Sequence, residues 1–147
     1  METLIEVKGL SKSFGALRAV SDISLSVTRG QVLGFLGPNG AGKSTTMKMI
    51  TGFLSPSAGQ VAIAGHDIEQ APLAAKAKLG YVPEGAPAYG EMTPAAFLDF
   101  IADVRGLPRA TRAARIAEVV AKIHLEKVLH QRIETLSKGF KRRVGLA

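Results

Sequence analysis

Apolar and polar positions alternate along the first part of the chain. Residues 3–10, TLIEVKGL, set Leu4, Glu6 and Lys8 against Ile5 and Val7. Residues 23–30, ISLSVTRG, set Ile23, Leu25 and Val27 against serines and Thr28. A period of two turns one face to a core and the other to water, so both stretches predict strands, the second with the half-buried pattern of an antiparallel sheet. Residues 31–37, QVLGFLG, carry Val32, Leu33, Phe35 and Leu36 on both faces, which predicts a strand buried inside a sheet. Residues 60–68 predict another strand and 79–83 a short one, with the turn-forming SPSAG of 55–59 as a loop before them.

After Pro87 the period lengthens. Thr93 stands at an N-cap and Pro94 at the first helical position. Phe97, Phe100, Ile101 and Val104 follow at helical spacing and predict one apolar stripe, which Gly106 and Pro108 end. A second helix repeats the spacing with Ile116, Val119, Val120 and Ile123 and puts Arg112 and Arg115 on its wet face. A last helix is expected to begin near Ser137. Thus a strand-rich part, 1–86, precedes a helical part, 87–147, with no internal repeat.

Composition narrows this little. A chain of 147 residues, 46% hydrophobic and 21% charged, has the makeup of a globular domain. No apolar run approaches a membrane span, the N-terminus lacks a signal-peptide layout, and the absence of cysteine excludes disulfides and thiolate metal sites. The net charge of +7 is uneven: residues 1–104 hold 8 basic and 9 acidic side chains, residues 105–147 hold 11 basic and 3 acidic. A single aromatic residue, Phe140, stands among the basic ones of 105–147, short of the interleaving that single-strand binders need, so the surplus predicts a solvated helical face and no nucleic acid is expected as a partner.

The chemistry lies in residues 37–44. Gly37, Pro38, Asn39, Gly40, Ala41, Gly42, Lys43 and Ser44 match G-x-x-x-x-G-K-[ST] in full. Glycines permit the backbone angles that turn successive N–H groups inward and let the backbone approach phosphates. The helix that starts near Lys43 directs its positive end at the same anion. Lys43 adds a mobile positive charge, and the Ser44 hydroxyl is a hard oxygen ligand for Mg²⁺. The loop therefore predicts a bound nucleoside triphosphate. Asn39 is the sole asparagine, so the Asn-Lys-x-Asp motif of a guanine reader is absent.

Four segments in this order, LSKSFGALRAV (10–20), GPNGAGKST (37–45), GYVPEGAPAYGEMT (80–93) and LSKGFKRRVGLA (136–147), resemble the ATP-binding subunits of ABC transporters across the whole chain. The form is most similar to those of ABC-2 type exporters. The resemblance implies an α/β fold: a P-loop NTPase core with an antiparallel β subdomain and a helical subdomain, incomplete at its C-terminus. It implies ATP and Mg²⁺ as cofactors. Phe14 matches the aromatic that stacks on adenine, where tyrosine is common, and stacking needs only a ring face. Thr45 matches a residue that contacts the inner phosphates. Glu84 stands where a glutamine usually helps hold Mg²⁺ and the attacking water. Ser137, Lys138, Gly139 and Phe140 match the signature motif, commonly Ser-Gly-Gly-Gln, which reaches the ATP of a second subunit in a head-to-tail dimer. The other implied partner is a membrane-spanning permease, and the implied location is the cytoplasmic face of the cell membrane.

The same resemblance implies ATP hydrolysis, yet the parts that perform it are not within 1–147. No strand ends in an Asp followed by a Glu. Asp67, Glu69, Asp99 and Asp103 have other settings, and His66, His124 and His130 lack the flanks of the family's switch histidine. The 147 residues are therefore expected to be hydrolysis-incompetent and, with the apolar 31–37 stretch uncovered, poorly soluble or partly folded. A sharp, cooperative melt of soluble monomer would count against that expectation. Two other readings stay open on sequence: a soluble ABC-type ATPase acting on ribosomes or nucleic acid, and a non-catalytic interaction module.

Overall fold

The computed structural model describes residues 2–83 and 89–147. The chain divides into two compact units, Met1–Tyr81 and Val82–Ala147, each with its own apolar core.

In the first unit, β1 (Thr3–Phe14) and β2 (Leu17–Thr28) form a hairpin whose reversal uses Gly15 at φ 58°. β1 also pairs antiparallel with β3 (Ala58–Ile63), and β3 with β4 (His66–Asp67), giving a four-stranded sheet of order β2-β1-β3-β4. The predicted strand 60–68 is thus two strands. Ala64 and Gly65 both adopt positive φ, 48° and 81°, the conformation of a tight two-residue hairpin turn. Register brings Val7 opposite Leu25 on one side and Val61 on the other. These side chains, with Leu10, Val20 and Ile63, meet Met49 and Ile50 of α1 (Lys43–Ile50) and Ala75 of α2 (Pro72–Lys76). Leu10, Met49 and Ala75 are wholly buried, and burial of a leucine or methionine contributes roughly 1.5–3 kcal/mol.

Two sequence expectations fail here. Residues 31–37 form no strand, and Val32 and Leu36 are 96% and 94% exposed. Residues 79–83 form none either. A strand buried on both faces needs ladder partners along its edges as well as apolar side chains. Among the described residues nothing pairs with 31–37, so the side-chain pattern lacks the backbone partners it requires.

The second unit contains α3 (Pro94–Val104), α4 (Arg109–Lys122), two single 3₁₀ turns (Glu126–Val128 and Ile133–Thr135) and α5 (Lys138–Leu146). The Thr93 hydroxyl caps α3 by accepting from the Ala96 N–H at 3.2 Å, with Pro94 in the first turn as expected. The buried stripe of α3 is rotated from the predicted one. Phe97, Leu98 and Ala102 are buried, whereas Phe100 and Val104 are exposed. Tyr89 accounts in part for Phe100, its ring lying edge-on to it at 5.8 Å. Val120 of α4 is buried, with Ile116 and Ile123 packed partly against the same core.

Arg112 also departs from expectation. The helical spacing puts it on a wet face, but its side chain is only 14% exposed, drawn to Asp103 at 2.8 Å and Asp99 at 3.5 Å on α3. The hydrogen bond to Asp103 raises the guanidinium pKa further above its ordinary value; burial opposes this, and the charges of Asp103 and Asp99 add to it. The arginine thereby clamps the end of α3 to the start of α4, assisted by a bond to the Leu107 carbonyl. Its Nε is buried without a hydrogen-bond partner.

Candidate nucleotide site

The connection into α1 makes a closed turn around a lysine. Gly40 and Gly42 take φ of 85° and 83°, the left-handed region that glycine enters without penalty. Gly42 is the N-cap of α1 and offers no side chain to its first N–H groups. The early N–H groups of a helix have no partner within it, so Lys43, Ser44 and Thr45 begin the helix with donors directed outward, and no acidic residue lies in this turn to compete. The Thr46 N–H and hydroxyl both donate to the Gly42 carbonyl, at 2.8 and 2.9 Å, and Thr46 is wholly buried. That pair fastens the base of the loop.

Lys43 bends back over the loop. Its ammonium donates to the carbonyls of Gly37 at 2.6 Å and Pro38 at 2.7 Å, while the Ala41 N–H turns toward the Pro38 carbonyl at 3.3 Å. The cation is therefore held at the mouth of the loop by weak neutral acceptors, which a phosphate would outcompete. Gly42 is also the point of closest approach to the sheet. A Cβ there would stand 2.5 Å from the Ala19 carbonyl oxygen and 2.9 Å from Val20 Cγ2. Val20 pairs across the hairpin with Lys12, two residues before Phe14. Phe14 ends β1 and is 50% exposed. The sheet thus brings the Phe14 end of the hairpin to the same side of the unit as the loop.

The remaining candidates are Glu84 and residues 137–140. Glu84 falls outside the described residues. Ser137 caps α5, its hydroxyl accepting from the Phe140 N–H at 3.4 Å, and Lys138 and Gly139 are exposed. The Phe140 ring packs partly on the second unit's core with the Arg143 guanidinium 5.2 Å from its centroid. What residues 137–140 present to an anion is therefore backbone N–H, the Ser137 hydroxyl and the Lys138 charge.

Sequence patterns gave no warning of how this segment is braced. The Glu134 N–H donates to the Gly90 carbonyl and the Ile133 N–H to the Met92 carbonyl, both at 2.9 Å. The Lys141 ammonium reaches back to the Glu134 carbonyl at 2.7 Å. The two backbone bonds join residues some forty apart and follow no local motif. Among the described residues no three of His, Asp and Glu cluster as a metal site. Among the described residues, the loop offers a divalent cation the Ser44 hydroxyl beside the phosphates themselves. The glycine cradle, the outward donors and the positioned lysine suit a polyphosphate.

The family model described as "ABC transporter" matches residues 20–147. The chain is 38% identical over 146 residues to the protein named "Probable multidrug ABC transporter ATP-binding protein YbhF" of Escherichia coli strain K12, covering 99% of this chain and 25% of that protein. It is 35% identical to the "Linearmycin resistance ATP-binding protein LnrL" of Bacillus subtilis strain 168, covering 97% of this chain and 46% of that one. A solved structure titled "Structure of ATP binding subunit of ABC transporter" superposes with a TM-score of 0.88 at 34% identity, over 97% of this chain and 60% of that chain. The chain thus spans between a quarter and about half of these curated relatives. The loop of residues 37–44, the mixed α/β fold and these matches agree, and the chain belongs to the ABC transporter family.

Proposed function

We propose that this chain is the ATP-binding part of an ABC transporter subunit of the ABC-2 exporter type, and that residues 37–45 hold the triphosphate of ATP. The observation that carries the reading is the loop itself: left-handed Gly40 and Gly42, the open first turn of α1, and an ammonium held between two loop carbonyls. Outward N–H groups and Lys43 bind the phosphates, Ser44 supplies an oxygen to Mg²⁺, and Thr45 follows on the inner phosphates. Phe14 offers its ring face to the base. Mg²⁺, when bound, neutralises phosphate charge and polarises the terminal phosphoryl group, with Glu84 as a further ligand.

In this reading residues 137–140 act in trans, on the nucleotide of a second ATP-binding subunit. The Ser137-capped start of α5 and the Lys138 charge favour an anion there. The pair of subunits couples ATP to a membrane-spanning permease at the cytoplasmic membrane face. No helix among the described residues is long and apolar enough to cross a membrane, which suits attachment through that partner. The division proposed is a β-rich P-loop part, 1–86, and a helical part with the signature helix, 87–147. The sequence of residues 1–147 contains no Asp-Glu pair, and we assign this stretch ATP binding without turnover.

The test is titration of the chain with Mg–ATP, beside Lys43→Ala. Loss of one charge-assisted hydrogen bond, about 1.5–3 kcal/mol, should weaken binding by about tenfold to a hundredfold with little change in the melt. Phosphate release should be the same in both chains. Equal ATP affinity in the two would refute the loop assignment, and release above the Lys43→Ala level would refute the assignment without turnover.

A further inference from the structure

One contact beside the base platform is unused by this reading. The Lys12 ammonium lies 5.3 Å from the centroid of the Phe14 ring. The same ammonium donates to the Ser55 carbonyl at 2.6 Å. Lys12 is partly buried, whereas Phe14 is half exposed. A lysine free in solvent would spread over many rotamers; here an acceptor fixes its charge over an aromatic ring.

The acceptor belongs to a loop that is itself fastened. The Ser57 N–H donates to the Ser11 carbonyl at 2.8 Å, and the Ser57 hydroxyl accepts from the Ser13 N–H at 3.1 Å. At its other end this loop leaves α1, with Phe53 and Leu54 N–H groups both bonded to the Lys48 carbonyl. Residues 55–57 therefore tie β1 on both sides of Lys12 to the helix whose first turn is the phosphate cradle. Lys12 also sits across the hairpin from Val20, the residue against which Gly42 packs.

We propose that Lys12 is a positioning residue for base recognition: its ammonium, held by the Ser55 carbonyl, backs the Phe14 ring and prepares the ring's exposed side to stack on a purine. A cation over one face draws on the electron-rich π cloud. The opposite face then meets an electron-rich base with less repulsion, and the ring is held in one orientation before the base arrives. The inference rests on the reading of Phe14 as the base platform and extends it to the group behind that platform. It assigns Lys12 to the base and not to the phosphates, although its charge alone would suggest an anion.

The experiment separates those roles with two ligands, Mg–ATP and inorganic tripolyphosphate, titrated into the chain. Lys12→Met keeps the length of the stem and removes the charge. It is expected to weaken ATP by about two- to fivefold, the range of an exposed cation–π contact, and to leave tripolyphosphate unchanged. Lys12→Arg, which keeps a cation over the ring, is expected to retain wild-type ATP affinity. In a Phe14→Ala background Lys12→Met should have no further effect. Equal weakening of both ligands by Lys12→Met would overturn the proposal, since the ammonium would then be acting on phosphates or on the loop. The same ATP loss with and without Phe14 would also overturn it. If Phe14→Ala leaves ATP and tripolyphosphate affinities in their original ratio, the platform reading itself fails and the role of Lys12 fails with it. Should Lys12→Met not fold by circular dichroism, Lys12→Arg decides: retained ATP affinity supports the proposal, and a loss confined to ATP overturns it.

Discussion

Gly42→Ala is expected to lower ATP affinity by about a hundredfold or more, and Gly40→Ala far less, although both glycines share the same backbone angle. Their φ values, 83° and 85°, are left-handed, and an L side chain there costs about 1–2 kcal/mol. The surroundings differ. A Cβ at Gly40 meets nothing within 4 Å, whereas one at Gly42 stands 2.5 Å from the Ala19 carbonyl oxygen. That oxygen belongs to β2 and cannot rotate away. The loop must therefore lift from the sheet, taking with it the Gly42 carbonyl to which Thr46 is doubly bonded. Displacing the first-turn donors forfeits two or more charge-assisted hydrogen bonds, about 3 kcal/mol or more together, which is the hundredfold. Titration with Mg–ATP, beside thermal melts of each variant, checks this. Equal losses in the two variants would show that torsional strain alone matters and that the approach to Ala19 does not.

The conformation of the loop at 37–45 was legible because its demands are local: glycines at fixed offsets, a lysine, a hydroxyl and a helix start impose the backbone that the structure shows. The caps at Thr93 and Ser137 were legible for the same reason. Strand 31–37 was not. Its apolar pattern reports what the side chains favour, but a strand exists only where a second strand completes its ladder, and that is not written in the segment itself. The stripe of α3 misled in a smaller way. Phe97 and Ile101 belong to both candidate stripes, and Leu98 and Ala102 are as good a continuation as Phe100 and Val104. Only packing against the α4 side of the unit decides between them. The charge of Arg112 predicts solvent, but two carboxylates on another helix draw it in. In each case the missing information is tertiary.

Leu125→Ala should unfold the second unit preferentially and leave the phosphate loop intact. Leu125 is wholly buried at the centre of a core made by Phe97, Leu98, Val120, Val128, Ile133, Leu136 and Val144. Truncating such a leucine costs about 2–5 kcal/mol, the larger values applying where the cavity does not collapse. Collapse is hindered here: the N–H of Leu125 is bonded to the Val120 carbonyl and His124 before it holds a left-handed turn at φ 57°. A unit this small has little stability to lose. Leu136 precedes the Ser137 cap and Val144 lies in the body of α5, so loosening the core releases residues 137–140 with them. No residue of this core belongs to the core of the first unit. Hydrogen exchange should therefore show protection falling across α3, α4 and α5 while β1, β2 and β3 keep theirs, with ATP affinity at residues 37–45 unchanged. A uniform loss of protection, or an affinity that falls with the second unit, would mean that the two cores melt as one and that the phosphate loop depends on the helices behind the signature motif.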